Sequence, residues 1–151
     1  MILVMGVVLS LLLVSSAFGD TSGVRTRGKT GIGRYLTDSE GMALYINKND
    51  PYMESTCTGD CALQWTPFYG TNIVSPLLDA EHFGEITRDD GTKQTTYKGR
   101  PLYYYSEDTE RKDMKGHGFK KIWSLVRVKG LHSKGYVDTL SPNPSPRSNN
   151  I

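Results

Sequence analysis

Leu44-Tyr45-Ile46-Asn47-Lys48-Asn49-Asp50 decides how this chain folds, because its pattern returns 58 residues later as Leu102-Tyr103-Tyr104-Tyr105-Ser106-Glu107-Asp108. Alternation along a strand puts Leu44 and Ile46 on one face, to supply core, and Tyr45 and Asn47 on the other. A tyrosine there offers an apolar body with a hydroxyl at its edge. Asp50 and Asp108 stand where the strand must end, and a carboxylate in that place can accept loop N–H groups or meet a phenol or indole donor. The same offset, with no gap, aligns Thr37 with Thr95, Gly41 with Gly99 and Trp65 with Trp123. Six identities exceed the roughly two that residue frequencies supply over such a window. Each unit thus reads as a turn, a Leu-Tyr strand, a loop opened by Asp and a closing Trp. Two such units, about 35–68 and 93–126, imply pseudo-twofold packing. The motif residues Leu44, Tyr45, Asp50, Trp65, Leu102, Tyr103, Asp108 and Trp123 are assigned to structure. An acid/base or metal pair at Asp50 and Asp108 would need a partner histidine at matching places, and the sequence has none there.

Outward from the motif, short strand-like segments alternate with turn residues. Tyr35-Leu36-Thr37 and Ala43-Leu44-Tyr45-Ile46 flank Ser39-Glu40-Gly41, and 84–88 and 94–97 flank Asp89-Asp90-Gly91. Lys98-Gly99-Arg100-Pro101 turns the chain into a strand at 102–105. A last strand is expected over 121–128, with Ile122, Ser124, Val126 and Val128 on one face and Trp123, Leu125 and Arg127 on the other. Helix is expected only at Cys61–Trp65, with Asp60 as its N-cap. The fold class that follows is mainly β, a small antiparallel sheet domain of two related units with one short helix near the Cys-x3-Cys segment.

The chain has 151 residues, 37% of them apolar and 23% charged, which suits one modest core. A formal charge of +2, evenly mixed, is no nucleic-acid footprint. Residues 1–19 carry the uncharged run Val7-Val8-Leu9-Ser10-Leu11-Leu12-Leu13-Val14, followed by small residues before Asp20. That pattern is expected of a secretory signal, too short for the roughly 20 residues of a membrane span, so no membrane contact is expected after its removal. Residues 20–33 read as a flexible polar leader, 34–136 as the tandem β domain, and 137–151, with Pro142, Pro144 and Pro146, as a disordered tail.

Four segments together resemble the secreted repeats of unknown function called the lipoprotein 15 family, which carry a Tyr-x4-Asp motif in tandem. They are Leu44–Asp50, Cys57–Pro67, Arg88–Tyr103 and Gly116-His117-Gly118 before Trp123. The resemblance implies export and tandem architecture and carries no catalytic residue. Many bacterial members have a lipoprotein cysteine at the signal cut; this chain has none there, which points to free secretion.

Cys57 and Cys61 are the two cysteines, and in an oxidising compartment they are expected to bridge. The sharper reading, thiol-disulfide redox chemistry, usually needs Cys-x-x-Cys beside a βαβ unit. Zinc would need two ligands more, and His82, His117 and His132 are scattered. No metal and no cofactor is therefore assigned, and no catalytic constellation is found. Tyr103-Tyr104-Tyr105 must place tyrosines on both faces of a strand, and outer ones could stack on a sugar or another protein. The leading expectation is a secreted, non-enzymatic structural or surface component of an extracellular matrix, a biomineral matrix included. Its partners would be matrix proteins or polysaccharide. The alternatives are a soluble binding module for a small ligand, metal or glycan, using the aromatic strands or the loops after Asp50 and Asp108, and a redox protein using Cys57 and Cys61.

Overall fold

The structure is a computed structural model that describes residues 23–128; the signal reading and the proline-rich tail lie outside the described residues. Eight short strands form: β1 (Gly23–Lys29), β2 (Gly33–Asp38), β3 (Tyr45–Asn47), β4 (Asn72–Ile73), β5 (Phe83–Thr87), β6 (Lys93–Tyr97), β7 (Arg100–Pro101) and β8 (Trp123–Leu125). They assemble as three small sheets, β2-β1-β4, β3-β8 and β5-β6-β7, antiparallel except where β1 meets β4. The mainly β expectation holds, spread over three sheets instead of one.

Two hairpins form, β1–β2 and β5–β6. β1 runs against β2 with Val24 opposite Asp38 and Arg27 opposite Tyr35; β5 runs against β6 with Phe83 opposite Tyr97 and Ile86 opposite Gln94. The expected flexible leader is thus corrected: over its described residues it holds β1, whose Val24 is fully buried. Its glycines and basic residues hid a strand whose backbone pairs along its length with β2.

Each hairpin is followed by a turn into the Leu-Tyr segment, and these two turns differ in length. In the first, Asp38 N–H donates to the Met42 carbonyl across Ser39, Glu40 and Gly41, with Gly41 at φ 95°. In the second, Tyr97 faces Arg100 across Lys98 and Gly99 alone, at φ 51° and 73°. Both of those φ values are positive, as in a type I′ turn. The ladder records the one-residue difference. Leu36 N–H donates to Val126 O and Leu44 N–H to Leu36 O, while Thr95 N–H donates to Phe68 O and Leu102 N–H to Thr95 O. Leu36 therefore matches Thr95, and the ungapped pairing of Thr37 with Thr95 is corrected.

Side-chain alternation sends residues to two core layers. Leu36, Leu44, Phe68, Leu102 and Val126 join Val24 in one; Tyr35, Tyr45, Trp65, Tyr103, Tyr105 and Trp123 form the other. The second layer is aromatic, with Trp65 and Trp123 stacked face to face at 3.8 Å between centroids and 1° between planes. Tyr45 and Tyr103 approach Trp65 and Trp123 edge-on, at 5.5 and 5.1 Å. The edge contacts add about 0.5–1.5 kcal/mol each beyond the area they bury.

Three smaller expectations change. The segment 102–105 is no regular strand; β7 ends at Pro101 and Tyr103 makes isolated bridges to Tyr45 and Pro67. The last strand shortens to β8, because a 3-10 turn at Phe119–Lys121 precedes it. Helix α1 runs Asp60–Gln64, so Asp60 sits in its first turn while Gly59 holds the N-cap place without a side-chain bond.

Candidate functional site

The repeated tyrosines and aspartates meet across the units, not within them. Tyr45 and Tyr103 lie side by side and exchange backbone bonds, Tyr45 N–H to Tyr103 O at 2.9 Å and Tyr103 N–H to Tyr45 O at 3.0 Å. From that shared point each phenol reaches into the other unit. Tyr45 donates to Asp108 Oδ2 at 2.5 Å, and Tyr103 donates to Asp50 Oδ2 at 2.6 Å. The second carboxylate oxygens hold the loops. Asp50 Oδ1 accepts from Thr56 N–H and Thr56 Oγ1, and Asp108 Oδ1 accepts from Lys115 N–H. Each acid thus fastens its own loop to the partner unit's strand, and charge-assisted bonds of this kind are about twice as strong as neutral ones.

Burial sets the titration of this node. Both phenols are held well above the ordinary tyrosine range, first by desolvation and then by the carboxylates they face. Asp108 is also pushed up, chiefly by burial, against the opposing effect of its bonds from Tyr45 and Lys115. At neutral pH the tyrosines are proton donors.

A longer network surrounds Asp50. Tyr103 gives its one proton to Asp50, so the 2.7 Å contact with Ser55 is a donation from Ser55 Oγ to the Tyr103 oxygen. Ser55 in turn accepts from Arg88 Nη1 at 2.6 Å. The same Nη1 donates to Gln94 Oε1 at 2.7 Å, and Nη2 donates to the Cys57 carbonyl at 2.6 Å. Gln94, fully buried, passes its amide proton to Leu102 O. Arg88 therefore ties the β5–β6 hairpin to the loop after Asp50. Nothing singled out Arg88, Ser55 or Gln94 in the sequence; the available signal was a cation placed just before the Asp89-Asp90-Gly91 turn.

Asp38 is a further missed residue. Its Oδ1 accepts from the N–H groups of Glu40, Gly41 and Met42, and its Oδ2 from the Tyr104 hydroxyl. Tyr103 and Tyr105 are buried in the aromatic layer and Tyr104 packs on the aliphatic one. The stacking surface expected from outer tyrosines of this run is thereby corrected, since both sides of the segment face core.

Cys57 and Cys61 form a disulfide that closes Thr58-Gly59-Asp60, with Cα atoms 5.2 Å apart. Beside it lies a pocket of about 310 Å³ between this loop, helix α1 and the Arg88–Asp90 turn. His117 stands elsewhere. Its Nδ1 accepts from Leu125 N–H, and its charged form is disfavoured first by burial and then by Arg127 and Lys48.

Fold and site together define a small β protein whose repeated Tyr-x4-Asp elements lock onto each other. Residues 84–127 match the model of the lipoprotein 15 family, described as a secreted repeat of unknown function, and so carry the repeat that the sequence resembles. The matched span opens inside β5. No curated protein and no solved structure matches the chain.

Proposed function

We propose that this is a secreted, non-enzymatic protein that serves as a rigid structural or surface component of an extracellular matrix, its two units packed about an approximate twofold axis. The observation that carries the reading is the exchange of partners: Tyr45 with Asp108 and Tyr103 with Asp50. The side chains that recur, and that could have done acid/base work, are committed to each other inside the core. The family description supports export in general terms. Matrix association, including contact with a mineral phase, is the finer part of the proposal.

Extraction of the source tissue tests it. An antibody to the chain should find the protein in the fraction that resists salt and detergent washing. Recovery wholly in the soluble secretion would refute the matrix role while leaving export intact.

A further inference from the structure

The pocket beside the disulfide contains an incomplete set of bonds. The Arg88 side chain is 3% exposed, and its two terminal nitrogens are taken by Ser55, Gln94 and the Cys57 carbonyl. Its Nε is buried and without a hydrogen-bond partner. A buried donor left unpaired costs about 1–3 kcal/mol, more for a charged group, so Nε calls for an acceptor. The nearest carboxylate oxygen, Asp90 Oδ2, lies 3.7 Å away, an ion pair at longer than hydrogen-bonding distance. The other oxygen, Asp90 Oδ1, accepts from Thr92 N–H and Thr92 Oγ1, which favours the present position of the carboxylate. Arg88, Asp89 and Asp90 line the pocket together with Thr58 and Gly59.

The missing group must accept from Nε and donate to Asp90 Oδ2. An anion meets two rim carboxylates, and a cation meets the guanidinium. A neutral hydroxyl does both jobs at once, and at ordinary bond lengths of about 2.7–2.9 Å it spans a 3.7 Å gap with an angle near 80°. Asp89 and Thr58, which also line the pocket, bring a further carboxylate and a hydroxyl to the site. The pocket, about 310 Å³, is at the lower end of the roughly 300–1,000 Å³ of small-ligand sites and suits one ring. The Cys57–Cys61 bridge holds the Thr58-Gly59 wall in place before any ligand arrives.

We propose that this pocket binds one neutral sugar residue of a glycan, through vicinal hydroxyls bridging Arg88 Nε and the carboxylates of Asp90 and Asp89. The inference goes beyond the structural role and does not depend on it. A matrix protein could bind sugar here, and so could a fully soluble one.

The full chain, labelled with ¹⁵N, is titrated with the methyl glycosides of glucose, galactose, mannose and N-acetylglucosamine, each to about 100 mM, a range that detects millimolar affinity. The Arg88 Nε–H signal and the Gly59 amide should shift saturably with at least one of them. Asp90→Asn keeps the side chain's size but turns an acceptor into a donor, and should weaken that response about tenfold. No saturable shift with any of the four overturns the proposal and leaves a bridging water as the occupant of the gap. An equal response in Asp90→Asn, or a response only to calcium chloride or inorganic phosphate, overturns it as well. Retention in the matrix fraction is read separately, so the two proposals fail independently.

Discussion

Replacing Tyr45 by Phe removes one hydroxyl from the point where the two units lock. Asp108, 8% exposed, would keep its bond from Lys115 N–H and lose the one from the phenol. A buried carboxylate deprived of one partner costs about 1.5–3 kcal/mol, in line with hydrogen bonds to charged groups. For a domain of this size each kcal/mol lowers Tm by about 4–8 °C, so a loss of about 6–24 °C is expected. The penalty has a pH signature. Burial already raises Asp108 above the usual carboxylate range, and the Tyr45 bond opposes that rise. Without the phenol the acid ionises with more difficulty, so the variant should be closest to the parent at pH low enough to protonate Asp108 and fall behind as pH rises. Calorimetry of both proteins between acidic and neutral pH measures the gap. A Tm at neutral pH within about 2 °C of the parent, or a gap that widens on acidification, would refute the view that this bond fastens the units.

Asp50→Asn should lower Tm more than Asp108→Asn, because Thr56 and Tyr103 give Asp50 three donors where Asp108 has two, and burial already disfavours the charged form of Asp108; thermal melts of the two compare them. Alkaline stability follows from the phenols: Tyr45 and Tyr103 keep their protons in the fold, whereas the unfolded chain releases them near pH 10. Stability is thus complete below about pH 10 and falls above it, visible as a lower urea midpoint at pH 11 than at pH 8 and a smaller drop in Tyr103→Phe. A Cβ at Gly116 would lie 2.7 Å from Trp65 Cη2 and 3.1 Å from Tyr105 Cβ, so Gly116→Ala should cost about 1–3 kcal/mol and reduce the near-ultraviolet dichroism of the stacked tryptophans. The double substitution Cys57→Ala with Cys61→Ala opens a five-residue loop and should cost about 2 kcal/mol in urea unfolding without abolishing the fold.

Local pattern was enough to read the β5–β6 hairpin and the Cys57–Cys61 pairing. Alternation and turn residues act between near neighbours, and a four-residue separation brings two cysteines together whatever the rest of the chain does. The duplicated Leu-Tyr and Asp positions were also visible, since repetition is a property of the string. Which tyrosine meets which aspartate was not, because the bond from Tyr45 to Asp108 spans 63 residues and depends on strands from both units lying side by side. For the same reason Arg88 stayed hidden: its charge makes sense only where Ser55, Gln94 and the Cys57 carbonyl converge. A leader rich in glycine and arginine became β1 because β2 supplies the backbone partners that its own side chains do not announce. Short-range geometry is written in the order of residues; the assignment of buried polar groups to one another exists only once distant segments have packed.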